Sequence, residues 1–247
     1  MERIKCIVSY DGTDFSGYQI QPNKRTIQGE FEHVLSKIHK GDNIRIYASG
    51  RTDAGVHAVG QVIHFDTPLK MKECNWMKAI NTLLPEDIYV KKCTIASPNF
   101  HARFSAKEKE YRYYIDYSKE RNVFKRNYAY HYPYDLDINR IQKACKHLEG
   151  THDFTTFSSA KTTTKGDKVR TLYEVSCSKN VDTIRFVVRG NGFLYHMVRI
   201  IIGVLLDVGR GFMEPEDIVD MIEKRDRKYA GKTVPPQGLY LYEVKYK

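Results

Sequence analysis

Two stretches of this chain carry the same succession of hydrophobic periods, and that succession limits the folds open to it. Residues 3–10 alternate, with Ile4, Cys6, Val8 and Tyr10 on one face, which predicts a half-buried strand. The turn Asp11-Gly12-Thr13-Asp14 follows. Thr26 then caps a helix whose stripe is Ile27, Phe31, Val34, Leu35 and Ile38, and Lys40-Gly41 ends it. Strand-like runs come at residues 44–49 and 61–66. A second helix is expected over 75–84, with Trp76, Met77, Ile80, Leu83 and Leu84 inward and Pro85 as the stop, and a fourth strand over 88–95. The order is β-α-β-β-α-β.

After a junction at residues 97–105 the order recurs. Residues 109–117 alternate, with Tyr111, Tyr113, Ile115 and Tyr117 on one face. A short strand is expected at 128–132, and a helix opened by Asp137 and closed by Gly150. Residues 171–178 and 183–189 read as a hairpin, 193–208 as a buried helix, 214 onward as a short helix, and 239–246 as the last strand. The expected fold is therefore α+β: two ferredoxin-like, RRM-like units, residues 1–104 and 105–247, whose antiparallel sheets leave faces free to join or to line a central cleft. The repeat is one of topology, without clear sequence identity between the halves.

The connection between the two strands of the first half is longer than a hairpin needs. Gly50-Arg51-Thr52-Asp53-Ala54-Gly55-Val56-His57-Ala58 sets an arginine, a carboxylate and a histidine around two glycines. A loop that is conformationally special and chemically loaded is a candidate site. Asp53 can act as a nucleophile or base while ionised, and a neighbouring guanidinium favours that form. Arg51 is one such neighbour. Arg199 is another, because it sits in an otherwise apolar helix where a core-facing cation needs an anionic partner.

Composition narrows the partners. The net charge of +10 points to a polyanion, and eighteen tyrosines with eleven phenylalanines supply faces for stacking on bases. No apolar run reaches the length of a membrane span and no signal peptide is evident, which predicts a cytoplasmic protein. Five cysteines form no C-x-x-C pair, and each is expected to act as a small buried hydrophobe. The nine histidines show no metal-ligand spacing, and no P-loop or full Gly-rich dinucleotide motif occurs, so no metal and no cofactor are expected. The basic loop at residues 162–168 adds Lys165, and Lys161 just before it, as candidate RNA contacts.

Seven ordered blocks carry a resemblance that runs nearly end to end. They are residues 10–19 (YDGTDFSGYQ), 50–58 (GRTDAGVHA), 100–106 (FHARFSA), 109–113 (KEYRY), 150–154 (GTHDF), 192–199 (GFLYHMVR) and 235–241 (PPQGLYL). In these the chain resembles the tRNA pseudouridine synthase A family. The resemblance implies isomerisation of uridine to pseudouridine in the anticodon stem-loop of tRNA, at positions 38, 39 and 40, by a homodimer. It implies that Asp53 is the nucleophile, that Tyr111 packs on the target base, and that Arg199 pairs with the aspartate. It further implies that Leu239 lines the pocket and that Arg51 holds the flipped nucleotide. His57, Arg103 and Arg112, within the same blocks, are candidate RNA contacts.

The competing class is a non-catalytic tandem RRM-like RNA-binding protein. It accounts for the charge and the aromatics, but not for a carboxylate set in a basic loop, which would repel phosphate. RRM stacking motifs are also missing from the sequence.

Overall fold

The structure is a computed structural model that describes residues 1–160 and 166–246. Five α-helices and ten strands, mostly antiparallel, make the protein α+β among the described residues. The chain divides into two compact units, Met1–Lys107 with Tyr240–Lys247, and Glu108–Leu239. No helix among the described residues is long and apolar enough to cross a membrane.

In the first unit β1 (Glu2–Tyr10) is central. It pairs antiparallel with β3 (His57–Thr67) and with β4 (Ile88–Ala96). Along β3, the two-residue β2 (Tyr47–Ala48) pairs antiparallel at His64 and Ile63, and β10 (Leu239–Lys245) pairs parallel at His57 and Ala58. The alternation of β1 buries Ile4, Cys6, Val8 and Tyr10. Helices α1 (Ile27–Ile38) and α2 (Glu73–Leu83) bring Phe31, Leu35, Trp76 and Ile80 into the core. Thr26 caps α1 through a bond from the Gly29 N–H, the kind of contact worth about 1 kcal/mol. Phe65 meets Trp76 edge to face at 5.4 Å, and His39 stacks on the same indole at 5.8 Å.

In the second unit β5 (Glu108–Asp116) pairs with β9 (Thr183–Gly190), β9 with β8 (Val169–Lys179), and β8 with β7 (Gly150–Asp153), all antiparallel. The short β6 (Tyr130–His131) lies parallel to β5. Helices α3 (Ile138–Leu148), α4 (Met197–Gly209) and α5 (Asp217–Lys224) complete the unit. Asp137 caps α3 by accepting from the Arg140 N–H. Every residue of α4 is buried except Arg199 and Asp207. Gly203 is where residues 232–234 cross it, and a Cβ there would collide with the Lys232 carbonyl.

Several local expectations change. The strand expected over 44–49 shrinks to β2, while β3 reaches back to His57, so His57 and Ala58 are strand rather than loop. Helix α4 starts at Met197, not 193, because His196 takes a left-handed conformation (φ 61°) that ends the preceding turn. Helix α5 starts at Asp217, three residues past the expected 214. Strand β7 was not expected: four residues are too few to show a period. Cys6, Cys93, Cys145 and Cys177 are buried, but Cys74 is exposed. It lies in the first turn of α2, on the side away from Trp76.

Candidate functional site

Residues 49–56 leave β2 and enter β3, and hydrogen bonds fix the loop at both ends and in the middle. Gln61, buried on β3, accepts from the Ser49 hydroxyl at 2.7 Å and donates to the Gly50 carbonyl at 2.8 Å. The Tyr10 hydroxyl, at the end of β1, shares a 2.8 Å bond with the Thr52 hydroxyl and receives a longer one from Gln61 at 3.4 Å. Burial pushes the Tyr10 phenol up to about 12, against the lowering effect of those two bonds, so it stays protonated at neutral pH. The Thr52 carbonyl accepts from the Tyr18 N–H at 3.0 Å.

Asp53 follows the buried Thr52 and is half-buried itself. Its carbonyl closes a turn by accepting from the Val56 N–H at 3.2 Å. Arg51, on the other side of Thr52, is exposed. Thus Thr52 points down into a polar anchor while its two charged neighbours are held toward the surface. The segment after β1 packs against the loop, and Gly12 permits the approach: a Cβ there would strike the Val56 carbonyl.

His57 lies beneath the loop, 2% exposed. Its Nδ1 accepts from the Gly12 N–H at 3.0 Å and also lies 3.1 Å from Asp11 Oδ1. The two contacts ask for different protonation states, since an Nδ1 that accepts cannot donate to a carboxylate. The Gly12 contact fits the neutral ring. The Asp11 Oδ1 atom is meanwhile served by the Thr13 N–H and hydroxyl, at 3.0 and 2.6 Å. The ring face stacks on Tyr240 at 4.7 Å. Arg103, also in the first unit, is exposed beyond β4, its guanidinium 5.7 Å from the Phe104 ring.

The second unit carries Tyr111, Arg112, Arg199 and Leu239. Tyr111 is on β5, 8% exposed, and meets Phe193 edge to face at 4.9 Å. Arg112, on the opposite face of the strand, is half-buried and donates to Glu110 at 2.6 Å. Arg199, half-buried, donates its Nε to the Val234 carbonyl at 2.8 Å. Tyr113 donates to the Pro235 carbonyl at 2.8 Å. Residues 234–239 are therefore tied to α4 and to β5, and Leu239, 5% exposed, follows the 3-10 turn Pro236–Gly238. Lys161 and Lys165 lie outside the described residues.

Sequence reasoning passed over Tyr10, Gln61, Gly12 and Phe193 as site-supporting residues. Tyr10 was readable as core from its strand alternation, but its hydroxyl contact with Thr52 spans forty-two positions. Nothing local signals a bond of that kind.

A family model described as tRNA pseudouridine synthase matches residues 6–105 and 144–247. A protein of Oceanobacillus iheyensis named tRNA pseudouridine synthase A is 58% identical over 246 residues, covering 100% of this chain and 97% of its own. A relative of the same name from a Geobacillus species is 58% identical, covering 99% of this chain and 98% of its own. A Bacillus cereus protein named tRNA pseudouridine synthase A 1 is 55% identical, covering 100% and 99%.

Proposed function

Because the chain belongs to the tRNA pseudouridine synthase family, we infer that it isomerises uridine to pseudouridine in tRNA, with the Asp53 carboxylate as nucleophile. The observation that carries the reading is the anchoring of the 49–56 loop, which presents Asp53 half-buried beside a fully anchored Thr52. A nucleophile held by its neighbours needs little reorganisation at the moment of attack.

In the reaction the N-glycosidic bond breaks, the uracil turns, and its C5 joins the ribose. The change is redox-neutral: the C5 proton is lost to solvent, and N1, freed from the ribose, takes one up. The target base must first come out of its stack, at a cost of a few kcal/mol. An aromatic face such as Tyr111 returns about 1–3 kcal/mol of that by stacking. In the same reading Arg199 is the counter-charge to the carboxylate, Leu239 an apolar wall that retains the detached uracil, and Arg51 a support for the flipped nucleotide. The reading extends to uridines of the anticodon stem-loop, to a homodimer, and to a cytoplasmic enzyme.

The test uses tRNA carrying tritium at uridine C5. Wild-type protein should release tritium, and Asp53→Asn should not, while both bind tRNA with similar affinity. Substantial release by Asp53→Asn would remove the nucleophile assignment. No release by wild-type protein with binding intact would favour a non-catalytic RNA-binding protein.

A further inference from the structure

The second unit holds a pocket of about 270 Å³ beside β6, lined by none of the residues assigned above. Its lining is rich in donors. Arg121, Lys125 and Arg126 supply three cations, and Asn122 and Gln237 add side-chain amides. The Asn122 Oδ1 already caps the 3-10 turn Val123–Lys125 by accepting from the Phe124 N–H at 2.9 Å. That leaves the amide NH₂ as what Asn122 can offer a ligand.

One acceptor stands among these donors. Asp116, at the end of β5, is 1% exposed. Its Oδ1 accepts from Ser118 at 2.8 Å and from Lys125 at 3.1 Å. Its Oδ2 is sealed from water and has no hydrogen-bond partner. A buried carboxylate oxygen without a donor is costly and is rarely left so. Asp116 belongs to the pocket lining, which makes its carboxylate the acceptor that a donor in the pocket would meet.

Three cations against one carboxylate leave the lining net positive, which selects an anionic ligand. The carboxylate would repel a bare anion, so the ligand must also bring a donor. A single carboxylate is too few for a cation site. A phosphate that carries a hydroxyl or amino group a few ångströms away meets both demands. We propose that this pocket binds one nucleotide, its phosphate at Arg121, Lys125 and Arg126 and a sugar hydroxyl or base amino group at Asp116. The nucleotide can be free or a residue of an RNA chain.

Binding is read without turnover, so the proposal stands apart from the isomerase reading. Full-length protein is titrated by calorimetry at fixed salt with nucleoside 5′-monophosphates, with inorganic phosphate, and with a five-nucleotide single-stranded RNA. The variant Arg121→Ala/Arg126→Ala alters two exposed side chains, so its fold is retained. Lys91→Ala/Lys92→Ala is the control of equal charge change. Asp116→Asn tests the acceptor. The expected result is a loss of at least about tenfold in nucleotide affinity for the arginine variant, with the lysine control unchanged. Asp116→Asn should reorder the preference among the four bases or between ribo- and deoxyribonucleotides. Loss for the monophosphates assigns the site to free nucleotides, and loss for the RNA alone assigns it to a residue of a chain. Equal affinity for inorganic phosphate, equal losses in the lysine control, or no binding of any probe would overturn the proposal.

Discussion

The two units hold their candidate site residues by different means. In the first, Asp53 rides on a loop with no regular structure, fixed by the hydroxyls of Tyr10, Thr52 and Ser49 and the Gln61 amide. In the second, Tyr111 and Arg199 project from β5 and from α4, a strand and a helix set by apolar packing. Packing is non-directional and spread over many contacts. A hydrogen-bond network is directional, and one missing group leaves its buried partners unsatisfied. The first unit should therefore be the more sensitive to single polar changes and to acid.

The largest expected effect bears on which unit does the chemistry. Asp53→Asn should lower tritium release by about a thousandfold or more, the scale typical of a lost nucleophile. A variant near wild type would move the chemistry off the first unit.

Acid gives the sharpest contrast between the units. Burial first, then the charge of Arg3, lowers the His64 pKa to about 4. The ring is neutral in the fold and accepts from the Ala102 N–H at 3.1 Å. The unfolded chain binds a proton near pH 6.5 and the folded one only near 4. Stability is thus fully present above about pH 6.5 and falls as pH drops through that window, by up to about 3 kcal/mol. Trp76, the single tryptophan, lies in the first unit against Phe65 and reports on it by fluorescence. The urea midpoint read by Trp76 should fall between pH 6.5 and 4.5, and His64→Gln should flatten that slope. An unchanged midpoint would mean that His64 is not the sensor.

On the packed side, Tyr111→Ala should cost about 1–3 kcal/mol of transition-state stabilisation if the ring stacks on the base, and Tyr111→Phe clearly less. Single-turnover rates on saturating tRNA would separate the two. The reverse order would give the role to the hydroxyl.

The smallest effect is at the loop anchor. Tyr10→Phe removes the bond to Thr52 and should lower stability by about 1 kcal/mol, with a fall in kcat at unchanged tRNA affinity. If kcat holds, the loop does not depend on this anchor for its catalytic shape.

Much of the fold was legible because its elements are long enough to show a period. Strand β1 and helices α1 and α3 announce themselves by alternation or stripe, and Thr26 and Asp137 mark two helix starts. Where few residues carry the element, as in β7, or where one residue takes an unusual backbone conformation, as His196 does, the pattern had nothing to register. The Gly50–Ala58 stretch stood out by its chemistry, but its anchors did not. Tyr10, Gln61 and Gly12 look like strand and turn residues in the chain.

By itself the sequence determined the α+β class, the order of the main elements, the family and the residue types available for chemistry, because period, capping and motif spacing are local properties. Only the tertiary structure decided that β10, last in the chain, runs beside β3 against His57, and that Thr52 is locked to Tyr10. It also decided that one oxygen of Asp116 is left sealed in a basic pocket. The first two depend on groups far apart in sequence meeting at hydrogen-bond distance, and the third on how the fold closes over one oxygen, none of which a local pattern records.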